Sequence, residues 1–182
     1  MGCQITCGKK QEPPALDKEV QSSEVPTMNI AREKFTDEQK EIVRETWNIV
    51  REDIAKIGVV TFLRLFEKNP DLKDLFVPFR GMDMNQLRQH EGLREHGLRV
   101  MGSIEKCVAR IDSPRRFDAM LTELGHKHVV FNIKPDYFEL LGPQLITAIK
   151  PAIGEKWTPE VEEAWMNFYH LIVYTMRVAM VS

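Results

Sequence analysis

From Thr36 onward, apolar residues return at spacings of three and four, and no segment shows the strict alternation of a half-buried strand. A chain patterned this way buries its apolar surface by packing helix against helix. Val43, Trp47 and Val50 share one face, as do Phe62, Leu65 and Phe66 in the next segment. A longer stripe carries Leu93, Gly97, Val100, Met101, Ile104 and Val108. Another carries Phe117, Met120, Leu121, Leu124 and His128, and Trp165, Phe168, Tyr169, Ile172, Val173 and Met176 give the last segment a broad apolar side. The pattern predicts an all-α fold without internal repeats.

Caps and breakers divide these stripes. Thr36, three residues before Gln39, has the capping-box spacing that opens a helix. Asn69-Pro70 ends the second helix, because the residue before a proline disfavours helical geometry, and Pro70 can open a short turn of its own. The breakers in Val77-Pro78-Phe79-Arg80-Gly81 predict a loop. Ser113-Pro114, Pro135 and Thr158-Pro159 mark three further helix starts, Ser113 as a cap.

The 182 residues suit one domain with an appendage. Residues 1–35 are rich in Gly, Pro, Ser, Gln and Glu, with too few apolar positions to offset the entropy of ordering. They are expected to be a disordered N-terminal tail, with the folded domain over 36–182. The tail is neutral: Lys9, Lys10, Lys18, Arg32 and Lys34 balance Glu12, Asp17, Glu19, Glu24 and Glu33. A formal net charge of -2 with no basic stripe argues against nucleic acid as a partner. Three cysteines, two of them in the first seven residues, form no paired framework, which favours a reducing compartment and leaves Cys107 as a free buried thiol. No apolar run has the length of a membrane span, and the longest candidate, residues 171–181, is interrupted by Arg177.

Histidines are the remaining chemistry. His128 lies on an apolar helix face and His96 beside one, and a histidine so placed is more often a hydrogen-bonded core residue than a ligand. His126, two positions before His128, sits about 200 degrees round the helix and points outward when His128 points in. His90 is six positions before His96, and His170 falls on a polar side, so neither belongs to the same site.

Taken with Phe62, Phe76 and Pro70 ahead of them, the two histidines give the chain a pattern that resembles the globin family from about Thr36 to Met180. Within it, the chain is similar to the neuroglobins and above all to the membrane-associated globin X group. The resemblance implies seven to eight helices around a haem, with His128 in Leu124-Gly125-His126-Lys127-His128 as the proximal iron ligand. Phe76, in Pro70-Asp71-Leu72-Lys73-Asp74-Leu75-Phe76, matches the phenylalanine that wedges the haem. Trp47 matches a packing position. Haem iron in both oxidation states accepts a neutral imidazole, which suits the assignment.

On the distal side, His96 either hydrogen-bonds bound oxygen or itself closes the sixth coordination position. The resemblance to the two named groups favours the second, bis-histidine arrangement. It also implies a pocket wall of Phe62, Val100, Leu124, Ile133 and Phe138, residues whose apolar character ordinary core would equally demand. Arg99 and Lys127 match places where basic residues meet haem propionates, though exposed helix charges need no such role. No c-type attachment motif is present, so the expected cofactor is non-covalent haem b.

The start Met1-Gly2-Cys3-Gln4-Ile5-Thr6 fits the myristoylation pattern, with Gly2 as acceptor. One myristoyl chain holds a membrane only marginally, with a constant of about 10⁴ M⁻¹, and stable anchoring takes a second signal. Lys9-Lys10 in a neutral tail adds little. Cys3 and Cys7 are therefore the expected palmitoylation sites, and the expected location is the cytoplasmic face of the plasma membrane.

Three functions follow from the resemblance. The first is reversible binding of oxygen, carbon monoxide or nitric oxide by a membrane-held haem, in sensing, redox work supplied by a reductase, or lipid protection. The second is enzymatic, as a nitrite reductase or nitric oxide dioxygenase with His96 as proton donor, for which no separate motif exists. A third, an acylated scaffold without haem, is disfavoured because both histidines are present.

Overall fold

In a computed structural model of the chain, residues 31–181 are described. Residues 31–34 are helical, and eight α-helices follow without a strand among the described residues. The first, α1 (Asp37–Val50), opens as its sequence requires: Thr36 Oγ1 accepts from the Gln39 amide at 3.3 Å. The reciprocal half of the box is absent, since Gln39 Oε1 instead accepts from Asn167 Nδ2 at 3.1 Å. The expected tail boundary falls inside packed structure. Phe35 is only 2% exposed and stacks on Phe168 at 5.4 Å, while Arg32 pairs with Asp118 and lies over the Phe117 ring.

α2 (Ile54–Lys68) stops at Asn69, and Pro70 opens the four-residue α3 (Pro70–Lys73). The segment expected as a loop contains a 3-10 turn, Val77–Phe79, whose Phe79 is buried. A short helix that no apolar stripe announces follows, α4 (Met84–Arg88). Its Asp83-x-x-Gln86 box is complete: Asp83 accepts from the Asn85 and Gln86 amides and Gln86 Oε1 accepts from the Asp83 amide.

α5 (Glu91–Val108) and α6 (Pro114–Val130) carry the histidines. Ser113 precedes α6 as expected but makes no side-chain capping bond; its carbonyl takes the Arg116 and Phe117 amides instead. α7 (Tyr137–Ile153) starts two residues after Pro135, which sits in the preceding turn, and holds Pro143 and Pro151 in its interior. α8 (Pro159–Val181) completes the fold. Arg177 there pairs with Asp136 and Glu139, and among the described residues no helix is long and apolar enough to cross a membrane.

α2 packs across α5 and α7, while α8 packs against α1 and α6. The α2–α5 crossing is close enough that a Cβ on Gly58 would stand 2.7 Å from the Gly97 backbone. The buried apolar residues form two clusters. The larger draws on α1, α2 and α5 to α8, with Leu121, Ile149, Trp165 and Phe168 fully enclosed. The smaller gathers Phe62, Phe66, Leu72, Phe79, Leu87 and Leu93. Val100 and Leu141, only partly buried, touch both. Cys107 is free and buried, and burial pushes its thiol up to about 12, so it stays a protonated core residue.

Candidate functional site

His128 sits in the last turns of α6. Its Nδ1 is 2.8 Å from the Leu124 carbonyl oxygen. A carbonyl can only accept, so Nδ1 carries the ring proton and the lone pair is left on Nε2, the nitrogen that ligates metals when the other is tied back. The edge of the ring meets Phe138, with centroids 5.1 Å apart. His126 is exposed, as the helical angle requires.

His96 projects from α5 into an aromatic corner. Its ring lies edge-on to Phe62 at 4.7 Å and to Phe76 at 5.1 Å. Phe76 in turn stacks on Phe79 at 5.6 Å, which locks the corner from behind. Burial pushes the His96 imidazole down to about 4, with the positive charge of Arg99 acting in the same direction. It is therefore neutral near physiological pH and able to donate its own lone pair. His90 is occupied elsewhere, capping α5 through the Gly92 amide at 3.1 Å and packing edge-on against Phe79, and His170 is exposed.

The remaining wall residues lie along the seam between the two apolar clusters. Phe62 belongs to the smaller cluster and Phe138 to the larger; Leu124 and Ile133 rest partly buried against the larger one, and Val100 bridges both. Leu141, one turn after Phe138, bridges them too; the helical spacing could have revealed it. Arg99 and Lys127 are exposed, pairing with carboxylates one turn back on their own helices, Glu95 at 3.7 Å and Glu123 at 2.6 Å. Gly2, Cys3 and Cys7 lie outside the described residues.

The donor set fits a planar, mostly apolar group with its own metal. The imidazoles of His96 and His128 reach the seam, and among the described residues no group of three or more His, Cys, Asp or Glu could hold an ion. A metal bound here by His96 and His128 would need its other ligands from the group that brings it, as a porphyrin provides. The partly buried Val100, Leu124, Ile133 and Leu141 offer the apolar lining such a macrocycle needs.

A family model described as Globin matches residues 60–176. The chain is similar to the neuroglobin of Tetraodon nigroviridis, 32% identical over 146 residues, covering 79% of this chain and 91% of that protein. It is similar also to cytoglobin-2 of Danio rerio, 29% identical over 82% of this chain and 81% of that protein. Among solved structures, a hexacoordinated haem protein from an anhydrobiotic tardigrade, at pH 4, superposes with a TM-score of 0.77 at 22% identity, covering 81% of this chain and 96% of that one. The haemoglobin of the botfly Gasterophilus intestinalis gives 0.74 at 19% identity, over 81% and 99%.

Proposed function

The chain belongs to the globin family, and from that premise we propose that it is a gas-binding haem protein whose iron is held by His128 and, in the resting state, by His96 as well. One observation carries the reading: the Leu124 carbonyl fixes the His128 tautomer with Nε2 free, on a seam whose other histidine, the half-buried His96, is neutral. Bound there without a covalent link, haem b supplies an iron that takes up oxygen, carbon monoxide or nitric oxide reversibly and exchanges electrons.

The chain's own residues set how that chemistry is used. His128 is held in one tautomer, so its basicity toward the metal is raised by the shared proton. If His96 also holds the iron, an incoming gas would compete with it, and the apparent affinity would be multiplied by the fraction of molecules in which His96 has swung away. Phe62 and Phe76 limit that swing by packing edge-on to the ring as two walls of one corner. Arg99 and Lys127, exposed and paired with Glu95 and Glu123, would trade those partners for the carboxylates of the cofactor. With His128 and His96 both holding the iron, the protein would suit sensing or electron exchange better than bulk oxygen storage. The proposal extends to the N-terminus: a myristoyl group on Gly2 with thioesters on Cys3 and Cys7 would hold the protein at the cytoplasmic face of the plasma membrane.

Optical spectra of the purified ferric, ferrous and carbon monoxide forms test the haem assignment. Wild type is expected to show the sharp paired visible bands of low-spin ferrous iron. His96→Leu should convert them to one broad high-spin band, and His128→Ala should lose most of its haem on dilution. A wild-type ferrous protein that is already high-spin would restrict His96 to hydrogen-bonding the bound gas.

A further inference from the structure

Behind the proximal histidine, a buried phenol holds the backbone of the residue that packs against it. Tyr169, on α8, is almost fully buried, and its hydroxyl donates to the Phe138 carbonyl at 2.7 Å. Its ring occupies a slot that exists because residue 142 has no side chain: a Cβ on Gly142 would stand 2.6 Å from Tyr169 Cε1. Phe138 in turn sets its ring edge against the His128 imidazole.

The first turn of α7 needs this support. Pro143 lies inside the helix and has no N–H to give the Glu139 carbonyl four residues back, so the turn that carries Phe138 is short of a bond. Burial also keeps the Tyr169 phenol protonated, with the nearby Glu139 charge acting in the same direction, so the donor persists across the working pH range. The same helix fixes the histidine's own element: a Cβ on Gly125, one turn before His128, would stand 2.7 Å from the Met176 carbonyl oxygen on α8. Helix α8 thus meets α6 close to His128 and, through Tyr169, holds the start of α7.

We propose that Tyr169 is a positioning residue for the His128 imidazole, acting through the Phe138 backbone and ring to fix the rotation of the imidazole about its side-chain axis. The Leu124 carbonyl fixes which nitrogen faces the seam, and Phe138 blocks rotation away from it. The inference rests on His128 being the iron ligand. It adds a residue that touches neither iron nor macrocycle.

The test uses full-length, haem-loaded protein in a His96→Leu background, where the iron keeps one axial imidazole. The readout is the stretching band between iron and His128 in the ferrous form, recorded by resonance Raman spectroscopy. Tyr169→Phe keeps the ring and removes only the donor; the band is expected to move to lower frequency and broaden as the imidazole gains rotational freedom. Phe138→Leu, which leaves the Tyr169 hydroxyl in place, is expected to shift the band the same way. Tyr169→Phe added to Phe138→Leu should then produce no further shift, because the two act in series. A band unmoved in Tyr169→Phe while the melting temperature falls would make Tyr169 a packing residue and overturn the assignment, as would fully additive shifts in the double variant. A wild-type protein with no Soret band would overturn the haem reading itself, and this inference with it.

Discussion

Gly97 shows how one missing side chain positions another. It precedes no turn and has an ordinary helical backbone, yet a Cβ there would stand 2.8 Å from the Gly58 carbonyl carbon on the crossing helix. Backbone offers no rotamer by which to yield, so α5 must move outward if residue 97 grows. His96 is its immediate neighbour and would move with it, away from the corner made by Phe62 and Phe76. Gly97→Ala is expected to cost about 1–3 kcal/mol through overpacking. It should also raise the high-spin ferrous fraction, which urea unfolding and a visible spectrum of the same sample would measure together. A variant that lost stability but kept a fully low-spin spectrum would show that His96 does not depend on the crossing. The sequence placed Gly97 on the apolar stripe, but it could not reveal that the partner across the crossing is a second glycine, because the crossing point depends on how α2 and α5 lie on each other.

At the level of elements, the first helix is held by more than its own pattern. Thr36 caps α1 through a single side-chain bond, and Thr36→Ala is expected to cost about 1 kcal/mol. Phe35, one residue earlier, is enclosed against Phe168, and truncating a buried phenylalanine typically costs about 3–5 kcal/mol. Phe35→Ala should therefore destabilise the protein more than the loss of the cap does, seen as a larger drop in the urea midpoint at unchanged slope. Equal drops would mean that Phe35 contributes nothing beyond the helix start. Composition placed residues 31–35 in the tail because a lone aromatic among polar residues looks solvent-facing. Its burial depends on Phe168, which lies far along the chain on α8. The short helix α4 is the opposite case: its Asp83–Gln86 box is a local signal that the sequence carries by itself, in a stretch otherwise rich in breakers.

Across the whole molecule, the site and the proposed anchor make separate demands. If the acyl reading of the N-terminus is right, Gly2→Ala should move the expressed protein from the membrane to the soluble fraction while its haem spectrum stays unchanged. Replacing Cys3 and Cys7 together should give the same redistribution with myristoylation intact, because one acyl chain binds only marginally. Unchanged membrane recovery in Gly2→Ala, measured by fractionation, would overturn the anchor.

The helical period, the prolines and the placement of His128 and His96 on inward-facing sides were fixed by the chain itself, because periodicity and capping are local physics that any arrangement of the helices must respect. His126 could be set aside from helical angle alone, and it is exposed. What the local pattern could not specify is which groups meet. The Leu124 bond that sets the His128 tautomer is local, but its edge contact with Phe138, the aromatic corner around His96 and the hydroxyl of Tyr169 on the Phe138 carbonyl each join separate helices. Those contacts exist only once the helices cross at their packed angles and distances, so the inward placement of His128 was legible in the sequence and the means of holding its ring was decided by the fold.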